Sequence, residues 1–132
     1  MQVTPFGVTS AALSNPVNAS ETIVQTSPIV EVPRDSAIAI VNWSCSGQLG
    51  NTPTGVTFKL YRGSTLAGTL LLNTGSITGG IGTNGQFIGF GGTFVDVLLL
   101  QATVQYSLSI AVAGLSSGTA LSACTVAGFL MF

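Results

Sequence analysis

Only three Lys/Arg and four Asp/Glu are spread over 132 residues, 5% of the chain, where a soluble domain ordinarily carries about 25%. This scarcity limits what the outside of any fold can be. Either Ser, Thr, Asn, Gln and Gly meet the water, or apolar surface is covered by something other than water. Disorder is excluded, because disordered chains combine low hydrophobicity with high net charge. Here 46% of residues are hydrophobic and the mean hydropathy is +0.64. The length is that of one domain. A net charge of −1 gives copies of the chain little reason to repel one another. The balance favours a subunit covered by its own copies over a neutral, Ser/Thr-rich monomer.

The same arithmetic removes several kinds of chemistry. The chain has no His, hence no ordinary general base and not the commonest neutral metal ligand. Two Cys and four carboxylates are too few to build a metal site. Its many Ser and Thr have no triad without His. No enzyme is expected, and no catalytic, cofactor or metal residue is assigned. The Gly-rich stretch 75–92 lacks a following GK[ST] and a helix to supply a dipole, so it is not a phosphate loop. Nothing basic offers a footprint for nucleic acid or anionic lipid. Residues 95–114, the most apolar stretch, are interrupted by Asp96, Gln101 and Gln105, so no membrane helix is expected. Residues 1–12 have neither a basic start nor a continuous apolar core, so no secretion signal is expected there.

Val, Ile, Thr, Phe, Gly and Ser dominate, which is strand-and-turn composition. Residues 22–32 read as two short segments, because Pro28 cannot donate to a ladder. Residues 36–45 alternate, with Ile38, Ile40 and Asn42 on one face and Ala37, Ala39, Val41 and Trp43 on the other. In 56–61, Val56, Phe58 and Leu60 oppose Thr57, Lys59 and Tyr61, and the Arg62-Gly63-Ser64 turn leads into a hairpin partner at 65–72. Residues 73–85 read as a long connection with a short strand at 76–78. Two strands, 86–90 and 93–100, flank Gly91-Gly92. Residues 103–112 place Val104, Tyr106, Leu108, Ile110 and Val112 on one face, and 119–132 form the last strand. About eight to ten antiparallel strands spaced by turn signals predict an all-β, single jelly-roll β-sandwich over residues 21–132. Residues 1–20, with Pro5, Gly7, Asn15 and Pro16 and no strand period, read as an extended N-terminal arm that drapes over a neighbour or frays.

Several residues stand out as candidates. Phe129, Leu130, Met131 and Phe132 would be a liability if exposed, so they belong mid-sheet or in a subunit interface. Cys45 and Cys124 lie on strands that a jelly roll can bring together, as a disulfide or as two buried thiols. Asn18-Ala19-Ser20 and Asn42-Trp43-Ser44 match short glycosylation sequons. Arg34 with Asp35, and Lys59 with Arg62, read as solvated faces or as contacts to an acidic neighbour. Asp96, between Val95 and Val97, faces out or is paired. Trp43 with Tyr61 would make a sugar-stacking platform if they shared a surface.

The run Val104-Gln105-Tyr106-Ser107-Leu108, a Gly/Ser turn, and then Thr125-Val126-Ala127-Gly128-Phe129-Leu130-Met131-Phe132 resembles the closing strands of tumour necrosis factor-like and complement globular-head domains. Phage-spike and spore-surface members of that superfamily share the charge-poor, Ser/Thr/Gly-rich style. The resemblance covers about 30 residues; elsewhere only the strand pattern matches. It implies a ten-strand jelly roll trimerising through aromatic and aliphatic residues, with Tyr106, Phe129 and Phe132 at the axis. Pro28 interrupts the family's long first strand, and no collagen-like stalk precedes it. The expected role is a non-enzymatic structural protein of a particle surface: a phage or virus capsid or decoration protein, made in host cytoplasm and assembled as a homotrimer. Tyr106, Phe129, Leu130 and Phe132 are its expected interface, with no cofactor, nucleic acid or membrane partner. The alternatives are a receptor- or glycan-binding spike head and an extracellular or spore-coat filament subunit.

Overall fold

The computed structural model describes residues 1–10, 13–14, 20–50, 53–78, 87–114 and 120–132. Among them the chain forms β1 (Val3–Ser10), β2 (Leu13–Ser14), β3 (Thr22–Thr26), β4 (Val30–Glu31), β5 (Ser36–Gln48), β6 (Pro53–Arg62), β7 (Thr69–Asn73), β8 (Phe87–Leu99), β9 (Thr103–Val104), β10 (Tyr106–Gly114) and β11 (Ala120–Met131). The eight longer strands build two sheets, ordered β1-β11-β5-β8 and β3-β10-β6-β7; β2 adds to β11, and β4 pairs with β9 apart. Among the eight, the first pairs with the last, the second with the seventh, the third with the sixth and the fourth with the fifth, all antiparallel. Four strand pairs wound in that order are a jelly roll, as expected.

Alternation decides what each sheet buries. Ala37, Ala39, Val41, Trp43 and Cys45 of β5 face Val56, Phe58 and Leu60 of β6 and Leu108, Ile110 and Val112 of β10, and all are buried. Trp43 and Phe58 pack with ring centroids 5.3 Å apart, and Phe58 and Phe90 at 5.4 Å. Pro28 falls between β3 and β4, as its missing donor requires.

Three local expectations change. Gly91-Gly92 does not split a strand; β8 runs through it, and a Cβ on Gly92 would crowd the Trp43 indole, 3.0 Å from Nε1. The hairpin partner of β6 begins at Thr69 rather than at 65: Gly63 takes φ 136°, and the Gly68 amide donates to the Thr65 carbonyl at 3.0 Å, so the turn uses residues counted as strand. Within 1–20, where no strand period is visible, Val3–Ser10 forms an outer strand in register with β11, Phe6 opposite Gly128. Gly128 has a packing reason. A Cβ there would collide with the Ile40 carbonyl oxygen of β5 and lie 3.2 Å from the Phe6 ring.

A buried ionic tie joins the sheets. Asp96 of β8 points inward and is 3% exposed. It accepts from Arg62 Nε at 2.9 Å, from Arg62 Nη2, and from Tyr106 Oη at 2.8 Å. Arg62 ends β6 and Tyr106 begins β10, so a carboxylate of one sheet is satisfied by the other. Removing one member of a buried pair leaves a desolvated charge, which costs more than the pair itself contributes. Asp96→Asn should therefore lower unfolding stability by about 3 kcal/mol, at the low end because Arg62 is partly solvated. Tyr106→Phe should lower it by about 1 kcal/mol. Urea denaturation midpoints measure both, and equal losses would place the tie elsewhere.

Candidate assembly surface

The inward turn of Asp96 has a consequence on the opposite side of β8. With a period of two, Val95, Val97 and Leu99 must point away from the core, and they are 55%, 60% and 63% exposed. Antiparallel register then sets apolar neighbours beside them. Val97 pairs with Ile38 of β5, which pairs with Met131 of β11, which pairs with Val3 of β1. Two residues along, Val95, Ile40, Phe129 and Pro5 make a second row across the same strands. Ile38, Val3 and Phe129 are 40%, 54% and 47% exposed. A third row, Thr93, Asn42, Ala127 and Gly7, is small and neutral. Where the first row ends, Met1, Ser36, Ala37, Ile38, Val97, Met131 and Phe132 line an open, mainly apolar groove of about 420 Å³.

None of the chain's seven charged residues stands on this face. Glu31, Arg34 and Asp35 are exposed in and just after β4. Glu21 and Lys59 lie on the outer side of the β3-β10-β6-β7 sheet, and Arg62 turns inward to Asp96 instead of joining Lys59 in a solvated patch. Glu21 accepts from Tyr61 Oη at 2.6 Å and from Ser109 Oγ at 2.6 Å, with Lys59 Nζ at 3.5 Å. One outer face of the sandwich thus carries an organised polar cluster, and the other carries no charged side chain.

The four residues expected at an interface divide. Phe129 is exposed within the second row and Phe132 is half-buried at the groove. Tyr106 and Leu130 are completely buried inside the protomer. Tyr106 stacks on Phe6 with centroids 5.8 Å apart and donates to Asp96, so it offers a neighbour nothing. Leu130 points inward by the alternation that turns Phe129 out, and Tyr106 by the alternation it shares with Leu108 and Ile110. Val95, Val97, Leu99, Ile38 and Val3 join the surface instead. The first three were legible as exposed once Asp96 was read as the inward residue of its strand.

Other candidates also separate. Trp43 faces the core and Tyr61 the outside of the other sheet, so they form no sugar platform. Trp43 Nε1 is buried and donates to no partner among the described residues. Asn42 is exposed, its amide oxygen taken by Thr93 Oγ1 at 2.7 Å; Asn18 lies outside the described residues, as does the stretch 79–86 of the Gly-rich segment. Cys45 and Cys124 do meet, directly opposite each other on β5 and β11. The described residues hold no cluster of His, Cys, Asp or Glu fit for a metal, and no helix long and apolar enough to cross a membrane.

No protein-family model and no curated protein matches the chain. Solved structures do resemble it. A chain from the infectious bursal disease virus Gx strain superposes with a TM-score of 0.57 at 13% identity, over 98% of this chain and 32% of that one. The VP2 subviral particle of the same virus gives 0.56 at 11% identity, covering 98% and 33%. Its derived T=1 particles give 0.54 at 12% identity, covering 98% and 32%. This chain spans about a third of the length of those chains, and the likeness is one of fold.

Burial alone would raise the Glu21 carboxyl, but hydrogen bonds from Ser109 and Tyr61 and the Lys59 charge outweigh it and hold Glu21 below its ordinary 4.5. The unfolded chain then binds more protons than the folded one just below pH 4.5, so this stabilisation is complete above 4.5 and lost as pH falls through the depressed value. Glu21→Gln should flatten that part of the acid limb. Chemical-denaturation midpoints taken between about pH 3 and 6 test this, and parallel limbs for the two proteins would refute it.

Proposed function

We propose that the chain is a non-enzymatic structural subunit of a particle shell, most simply a capsid or decoration protein at a virion surface, which associates with copies of itself as a homotrimer through the outer face of the β1-β11-β5-β8 sheet. The observation that carries the reading is β8. Around Asp96 it is apolar on both faces, with Phe94 and Leu98 toward the core and Val95, Val97 and Leu99 away from it. Strands that read as continuous apolar runs are those covered on both sides, and within one protomer β8 is covered on one.

The occupant follows from charge. A surface with no charged side chain of its own is best covered by one that brings none, since each unpaired charge buried there would cost several kcal/mol. A second copy of the chain meets that condition with an uncharged part of its own surface, and the net charge of −1 adds almost no repulsion. Repetition about a closed axis lets each copy cover the next. The similar folds come from virus particles, including a T=1 assembly, which supports a shell as the setting. The threefold count rests on the tumour necrosis factor-like resemblance of the closing strands. The N-terminal strand fits the same scheme, because β1 extends the apolar rows through Val3 and Pro5.

A single Glu in the second row outweighs the 1–2 kcal/mol that any one apolar neighbour contributes there. Light scattering and sedimentation should find wild-type protein as a trimer or a larger particle, unaffected between about 0.1 and 1 M salt because no charges are being screened. Val95→Glu and Phe129→Glu should each yield monomers with wild-type circular dichroism. A wild-type protein monomeric at high concentration, or Glu variants that assemble as before, would overturn the reading; a stable dimer would overturn the threefold count.

A further inference from the structure

The register that builds the assembly face also places the chain's two cysteines together. Cys45 of β5 and Cys124 of β11 are direct cross-strand partners, 79 residues apart in sequence. Both side chains point into the sandwich and are buried, with the two Sγ atoms in contact at 2.7 Å as free thiols. Directly opposed residues of an antiparallel pair have Cα atoms about 4.5–5.5 Å apart, inside the roughly 4.4–6.8 Å that a disulfide spans. Nothing in the backbone has to move for the two sulfurs to bond.

We propose that Cys45 and Cys124 are a redox site: a thiol pair in a reducing compartment that closes into an intrachain cross-strand disulfide outside it. The oxidant required is a small disulfide, of which oxidised glutathione is the ordinary one. One of the two cysteine thiolates attacks one sulfur of that molecule, forming a mixed disulfide and expelling one glutathione thiolate. The other cysteine then loses its proton, and its sulfur attacks the first Sγ, expelling the second glutathione thiolate. Two electrons pass from the protein to glutathione disulfide, and the two thiol protons end on the two glutathiones or in the solvent.

Because both sulfurs are buried, exchange takes place while the β5–β11 ladder is open, during folding or local unfolding. Once formed, the bond crosses the middle of the sheet that carries the apolar rows and closes a long loop. It constrains the unfolded chain most strongly for that reason. A shell assembled from thiol-form subunits would harden after leaving the cytosol, without any new contact between copies.

The test uses wild-type chain refolded with reduced and oxidised glutathione, then unfolded in guanidinium with iodoacetamide and weighed. The expected product is a monomer two hydrogens lighter than the reduced chain, unlabelled until dithiothreitol is added and doubly labelled after it. Digestion should yield one peptide pair joined through Cys45 and Cys124. Reduction should lower Tm by on the order of 10 °C, and the same treatment should leave Cys124→Ala unchanged. Two labelled thiols in the unreduced protein, a disulfide-linked dimer, or a wild-type Tm indifferent to dithiothreitol would each overturn the proposal; the peptide map decides it even if the variant does not fold.

Discussion

A carboxylate inside a β-sandwich has to find its partners there, and the position of Asp96 governs the rest of this molecule. Arg62 and Tyr106 supply three donors from the facing sheet, so β8 is held with its one charged residue inward. A slip of one residue would turn Asp96 to solvent and exchange the two faces of the strand. What holds the register is not hydrophobicity, since β8 is apolar on both sides of Asp96, but the need of one charge for a desolvated counterpart. Val95, Val97 and Leu99 are outside as a result.

The distribution of the remaining charge follows a single division. Glu21, Lys59, Tyr61 and Ser109 organise the outer side of one sheet, while the outer side of the other is built from Val, Ile, Phe, Pro and small neutral residues. Apolar atoms make up much of any protein surface, so scattered examples carry no message. Here the apolar residues lie in two adjacent rows across four hydrogen-bonded strands. The total accessible area, 6440 Å², is what a folded monomer of this mass presents (about 6,450 Å²). The protomer is therefore fully collapsed, and its exposed apolar rows are not an incomplete core.

Particular residues show how far reading the chain linearly can go. The alternations of 36–45, 56–61 and 103–112 put the right residues in the core, because period two survives whatever sheet the strand joins. Gly91-Gly92 misleads because glycine is read as punctuation, whereas here it makes room for the Trp43 indole across a ladder. Val3–Ser10 escapes notice because an edge strand pairs on one side only and needs less of a pattern. Tyr106 looks like an interface residue by resemblance, yet its own alternation with Leu108 and Ile110 already placed it in the core. Phe129 and Leu130, adjacent in sequence, part company for the same reason.

Composition and periodicity by themselves determined an all-β sandwich, nearly uncharged, with a surplus of apolar residues and no histidine. They could do so because charge count and side-chain alternation are properties of the chain alone. Only the tertiary structure decided that Arg62 meets Asp96, that Cys45 faces Cys124, and that the apolar surplus gathers on one sheet. Those outcomes depend on which strands become neighbours, and in a jelly roll the neighbours come from opposite ends of the chain.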